Sequence, residues 1–293
     1  MKPNRRIARL IALLPALLLA GCSLLPTTRK LPMPKAPATI QTVTPEQLVS
    51  RMNDRWAAFS TLTAKVEFHA TKSKEGIATD YPSVEGHILI RKPADLRVLG
   101  QYFGVSVFDM ASDGSNFTLS IPHNNTVIKG SNSVNKRSPN TWENLRPAFF
   151  LDAMLVRGLD PDDLYSVVTD SETLEDAARK HLYTVPEYVL SIYRRKPGTQ
   201  ELTPVRVITF KRDNLEPYQQ DIFDGQGNLE TQVTYLDYQD FEGSEYPSTV
   251  TIKRPIDQIQ IVLTVEDVHE NQTLKDDQFV VQIPEGSKVQ NLQ

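Results

Sequence analysis

The chain has 293 residues, a formal net charge of −4, a single cysteine and five histidines. One Cys leaves no intramolecular disulfide and no thiolate metal cluster, and the negative charge argues against nucleic acid or an anionic lipid surface as the main partner. The histidines at 69, 87, 123, 181 and 269 have neither helical nor zinc-finger ligand spacing. His69 and His87 stand at polar positions of their strands and are read as solvent-facing. No G-x-S-x-G, H-E-x-x-H or P-loop pattern occurs, so no enzyme activity, no cofactor and no metal are expected. The Asp224 turn lacks the Gly and the closing Glu of a calcium loop.

The chain begins with Lys2, Arg5, Arg6 and Arg9, followed by an apolar run from Ile11 to Ala20. That run is about half of the ~20 residues a membrane span needs, and Pro15 interrupts it. Basic, apolar and small-residue regions in this order read as a secretory signal peptide over residues 1–21. Its end, Leu19-Ala20-Gly21-Cys22, resembles the bacterial lipobox, which implies cleavage before Cys22 and acylation of both its thiol and the new N-terminus. Two or three acyl chains give stable anchoring, where one is marginal. Ser23 stands where enterobacterial inner-membrane lipoproteins carry Asp, which favours the outer membrane. Residues 22–43, with Pro26, Pro32, Pro34 and Pro37, read as a semi-rigid tether.

Folded structure is expected from Thr44. Thr44 suits an N-cap, Pro45 the first helical position, and Gln47 completes a capping box. Leu48, Met52, Trp56 and Phe59 then recur on one helical face. At Leu62 the period changes to two: Leu62, Ala64, Val66, Phe68 and Ala70 alternate with polar residues. A polar loop over 72–81 separates this strand from Val84–Arg91, with Gly86, Ile88 and Ile90 on one face. Strands at 96–102, 105–112, 117–121 and 126–129 follow, with Asp113-Gly114 and Asn124-Asn125 as turns.

The middle reads differently. Trp142 to Val156 is apolar at mixed spacing, with Phe149 and Phe150, and Pro147 is expected to break or kink it into one or two short helices. Residues 160–182 are acidic: Pro161 suits the opening of a helical turn, and Ser171 to Lys180 read as an exposed helix or a long polar connection. Alternation returns at Tyr188 and runs through 205–210, 217–223, 229–238, 248–254, 258–267 and 279–283. Short turns between neighbouring strands make this an antiparallel meander. About eleven strands exceed what a flat sheet holds, so a strongly curved sheet or open half-barrel results, with the helices plugging its concave side.

The order of parts carries a resemblance: lipobox, Pro-rich tether, amphipathic helix, strands, apolar helical insert, then a C-terminal meander. Its most telling run is Ile208-Thr209-Phe210, Gln220-Asp221-Ile222-Phe223-Asp224, Tyr235-Leu236-Asp237-Tyr238, Gly243, Pro247, Pro255, Asn271 and Pro284-Glu285-Gly286. This resembles the LolA/LolB-like superfamily of outer-membrane lipoprotein-sorting and lipoprotein-binding proteins. The resemblance implies one half-barrel domain over 44–293 with an apolar cavity for acyl chains. Cys22 places the chain with the lipid-anchored receptor type, whose partners are lipoproteins and a soluble periplasmic carrier. That type is described with an exposed apolar loop, and Ile77, among polar neighbours, is a poor match for it.

The expected cavity wall comprises Trp56, Phe59, Val66, Phe68, Ile88, Ile90, Leu119, Phe149, Phe150 and Val207. Ordinary core packing is the competing reading of the same residues. Function divides likewise: an outer-membrane lipoprotein holding acyl chains or lipidated polypeptides, or an envelope interaction or sensor module of the same fold.

Overall fold

The structure, a computed structural model, describes residues 39–132, 147–176 and 181–292. The expected signal peptide, Cys22, most of the tether, and Trp142 and Leu145 lie outside the described residues. Residues 37–172 and 185–293 form one compact unit, and the description concerns that unit.

Helix α1 (Pro45–Ala58) starts where the capping box places it. The Gln47 amide donates to Thr44 Oγ1 at 3.3 Å, and the Thr44 amide donates to Gln47 Oε1 at 2.8 Å. Strands β1 (Thr61–Lys74), β2 (Ile77–Asp80), β3 (Val84–Arg91), β4 (Asp95–Tyr102), β5 (Val105–Ser112), β6 (Asn116–Ile121) and β7 (Thr126–Ser131) form the first half. Helix α2 (Pro147–Met154) is the insert. Strands β8 (Asp163–Asp176), β9 (His181–Arg195), β10 (Leu202–Lys211), β11 (Pro217–Phe223), β12 (Leu229–Phe241), β13 (Ser244–Arg254), β14 (Ile259–Glu270) and β15 (Lys288–Leu292) complete the chain.

All fifteen strands join one curved sheet in the order β15-β7-β6-β5-β4-β3-β1-β14-β13-β12-β11-β10-β9-β8, with β2 attached to β1. Two antiparallel meanders are zipped together by β1 against β14, from Leu62↔Glu270 to Lys72↔Ile259. β15 pairs with β7 in parallel, so the sheet is mixed.

The count exceeds eleven for identifiable reasons. The 72–81 loop is a hairpin that turns at Gly76, where φ is +81°, and its return arm is β2. The acidic stretch forms β8, an edge strand whose side chains are mostly exposed on both faces, so no alternation marks it. It contains Ser171–Asp176, part of the stretch expected as an exposed helix or a long polar connection. Beyond Gly286 the chain adds β15, whereas 279–283, read as a strand, forms none. Of the expected short helices, the described residues hold one, and Pro147 opens it: a first-turn proline lacks only an N–H that has no helical partner there.

Two apolar clusters form the core. The larger joins the inner faces of β1, β3–β5 and β12–β14 to α2. The smaller joins Leu48, Val49 and Met52 of α1 to Tyr188, Leu190, Ile192, Ile208, Phe210 and Leu215. On the outer face, the chain after β14 straps across β3 and β4. Arg91 pairs with Asp276 at 2.8 Å and lies 4.7 Å from the Phe279 ring, and Arg97 donates to the Gln278 carbonyl at 2.9 Å.

Candidate functional site

The inner wall follows directly from strand parity. On β1, Leu62, Ala64, Val66 and Phe68 are buried, and their partners on β3 are Ile90, Ile88, Gly86 and Val84. On β4, Leu96 and Val98 continue the same surface opposite Ile90 and Ile88. Gly86 and Gly100 face each other across β3 and β4, and each is roofed by a ring: a Cβ on Gly86 would collide with Phe68, one on Gly100 with Phe108. Those two rings meet edge to face at 5.7 Å. The glycines thus admit aromatic side chains that strands with larger residues would push off the wall.

Helix α2 lies on this wall. Phe149, Phe150, Ala153 and Met154 are buried, with Phe150 edge-on to Phe68 at 6.2 Å and 4.0 Å from Phe149. Arg254 stands 5.5 Å from the Phe149 ring. Of the expected wall residues, Val66, Phe68, Ile88, Ile90, Phe149, Phe150 and Phe59 therefore come together in one cluster, and Leu119 and Trp56 pack half-buried against it. Val207 does not join them. A bulge between Pro204 and Arg206 shifts the β10 register, which brings Ile208 and Phe210 inward and leaves Val207 half-buried on the opposite parity.

Between the end of α1 and the residues following α2 lies a cleft of about 80 Å³. Leu48, Met52, Trp56, Phe59, Met154 and Tyr246 are among its lining. Pockets that hold small molecules usually measure ~300–1,000 Å³, so this cleft accepts a whole acyl chain only if the helices part. Two of its phenols are hydrogen-bonded: Tyr246 donates to the Met154 carbonyl at 2.6 Å and Tyr238 to the Pro217 carbonyl at 2.7 Å. Burial holds both phenols, and Tyr235, well above the usual tyrosine range, so all three stay neutral, and the Tyr235 hydroxyl accepts from Gln220 Nε2 at 3.3 Å.

The rim is cationic. Glu216, its side chain 5% exposed, receives Arg51 at 3.1 Å and Arg55 at 2.5 Å, and the two arginine side chains remain 52% and 48% exposed. Arg55 also donates to the Glu245 carbonyl at 2.8 Å. Burial alone would lower the Arg55 pKa, but the adjacent Glu216 raises it on balance. Lys92 donates to the Trp56 carbonyl and sits 3.9 Å from the indole ring centroid. Trp56 stacks on Phe59 at 5.9 Å, so its exposed half is a cation-covered edge.

One feature has no counterpart in the sequence reading. The β4–β5 turn carries Tyr102, Phe103 and Val105 into solvent, with Phe103 90% exposed at φ +47°. Left-handed backbone disfavours a bulky side chain, and a turn built for geometry alone takes Gly, Asn or Asp there. The usable signal was Tyr-Phe-Gly-Val at a reversal, where polar turn residues belong. Ile77, at the β1–β2 turn, is 70% exposed and stands without such company. Among the described residues, no group of three or more His, Cys, Asp or Glu could hold a metal ion, and no helix is long and apolar enough to cross a membrane.

No protein-family model matches the chain, and no curated protein matches it in sequence. Solved structures do match in fold. A DUF1329 family protein from Desulfovibrio piger superposes with a TM-score of 0.51 at 14% identity, over 80% of this chain and 95% of that one. A LolA superfamily protein from Nitrosomonas europaea superposes with a TM-score of 0.50 at 13% identity, over 82% and 99%. The chain thus shares the fold of these two solved structures, one of them from the superfamily that the order of parts in the sequence resembles.

Proposed function

We propose that this protein is an outer-membrane lipoprotein, anchored through Cys22, that binds acyl chains or the lipidated end of a polypeptide on the inner face of its sheet. Helix α2 and the end of α1 move aside to admit the ligand. The observation that carries this reading is what fills the inner face. Val66, Ile88 and Ile90 are wholly covered, and α2 supplies much of that cover with Phe149 and Phe150. An eight-residue helix is a separable cover in a way that a paired strand is not. A buried acyl chain gains ~0.8 kcal/mol per methylene, offset by the contacts α2 gives up. The fold shared with the LolA superfamily protein supports the same reading, and a soluble periplasmic carrier is the natural donor of the lipid.

The test is a fluorescent fatty acyl probe. Phe68→Glu, on the inner face, is expected to weaken binding by about tenfold or more. Lys65→Glu, on the outer face where Lys65 pairs with Glu266 at 2.7 Å, is expected to leave binding near wild type. A folded Phe68→Glu protein with unchanged affinity removes this wall from the site. Absence of probe binding by the wild-type chain places the interaction or sensor module in front, a reading favoured by the completeness with which the wall is covered.

The Tyr102–Val105 turn fits the same function as a lipid-touching tip. Phe103→Gly relieves a left-handed phenylalanine and removes no buried contact. Thermal stability is expected to hold or rise, by about 1 kcal/mol at most, while transfer of the acyl probe to lipid vesicles slows. An unchanged transfer rate argues the tip out of the mechanism.

A further inference from the structure

The rim of the cleft carries more charge chemistry than closure requires. A latch that only held α1 down could use aliphatic contacts, because burying a carboxylate between two guanidiniums costs desolvation that ion pairing often fails to repay. Here Glu216 is nearly inaccessible, yet Arg51 and Arg55 each keep about half their side chain in solvent. Arg51 spends only Nη2 on Glu216, whereas Arg55 spends Nη1 on Glu216 and Nη2 on the Glu245 carbonyl, so among the described residues the open arm at the edge of the cleft is that of Arg51. Lys92 adds a third cation against Trp56, and Glu270 is the other carboxylate in the lining. The sum over Arg51, Arg55, Lys92, Glu216 and Glu270 is one net positive charge beside an apolar slot. The net negative charge of the chain acts over long range and is screened; this pair of forks acts at hydrogen-bond distance.

Resting on the acyl-binding reading, we propose that Arg51 and Arg55 recognise the carboxylate head of a single-chain amphiphile whose tail enters the cleft past Trp56 and Phe59, and that Glu216 imitates this head in the empty protein. Glu216 suits the part. It belongs to the turn between β10 and β11, its carboxylate accepts both guanidiniums, and its backbone amide is held separately by Asn214 Oδ1 at 2.9 Å. The backbone thus stays in place when the side chain yields its partners. Bidentate guanidinium geometry matches a planar carboxylate and gives nothing comparable to an alcohol. The ligand class narrows from acyl chains in general to long-chain carboxylic acids.

The chain contains two tryptophans, Trp56 and Trp142. In the full chain carrying Trp142→Phe, Trp56 reports on the cleft through quenching by 12-bromododecanoate or 12-bromododecanol at pH 8. The carboxylate is expected to reach half-quenching at about a tenfold lower concentration than the alcohol. Arg51→Gln with Arg55→Gln is expected to abolish that preference while leaving quenching by the alcohol intact. Glu216→Gln, which frees the forks, is expected to widen it. Equal half-quenching by the two probes on the unsubstituted rim overturns head recognition and leaves acyl binding standing. Quenching by neither overturns acyl binding in this cleft, and this proposal with it. The wild-type rim decides both outcomes, so a variant that fails to fold leaves the comparison intact.

Discussion

Phe150→Ala is expected to lower unfolding stability by about 3–5 kcal/mol and, in the same protein, to tighten binding of an acyl probe. Phe150 is buried against the wall, edge-on to Phe68, in a cluster whose sheet residues have no exposed surface to fall back on. Truncation leaves a cavity that β1 and β3 cannot collapse into, because both are held by ladders on either side. Most substitutions that cost this much also damage function. This one differs because the lost contacts belong to the covered state, in which α2 competes with ligand. If the competent state is a minor one, its population divides the apparent dissociation constant, and each ~1.4 kcal/mol taken from α2 docking raises affinity about tenfold. Chemical denaturation and probe titration on the same sample check both halves. A large stability loss with unchanged affinity means that α2 is permanent core.

How much of this was legible in the sequence depends on what each residue's neighbours had to satisfy. The capping box at Thr44 and Gln47 is local chemistry, readable from four residues, and α1 begins there. The β1 alternation is readable because one face is buried along most of its length. By contrast, β8 sits at the sheet edge, so no burial pattern distinguishes it from a polar connection. Val207 was assigned to the wall from its apolar character, but one inserted residue near Pro204 decides the parity of β10, and a bulge leaves no mark in composition. Trp56 is less buried than Phe59. It sits on the same helical stripe near the end of α1, where Lys92 covers it in place of the core. Alternation also says which face turns inward without saying what occupies it, so the filling of the wall by α2 needed the fold.

Asp257→Ala is the other large effect expected, about 3–5 kcal/mol of destabilisation. The side chains of Arg254 and Asp257 are 7% and 2% exposed and meet at 2.9 Å. Arg254 also donates to Thr231 Oγ1 at 3.0 Å and reaches Glu230 at 3.2 Å, but Glu230 is 42% exposed and partly screened. Removing Asp257 leaves a buried guanidinium with a hydroxyl and one rim carboxylate. The penalty is that of an uncompensated charge, which exceeds the net worth of the pair itself. Replacing both partners, Arg254→Met with Asp257→Leu, is therefore expected to recover most of the loss, and a double-mutant cycle in urea measures it. The pair stands beside the functional wall, since Arg254 lies 5.5 Å from the Phe149 ring. Its loss frees no volume where an acyl chain would lie, so probe affinity in Asp257→Ala should stay close to wild type. The two variants then lose similar stability with opposite consequences for binding, which ties the affinity gain of Phe150→Ala to the vacated wall and not to a generally loosened fold. If Asp257→Ala tightens probe binding as much as Phe150→Ala, general loosening is the cause, and the displaced-helix account fails.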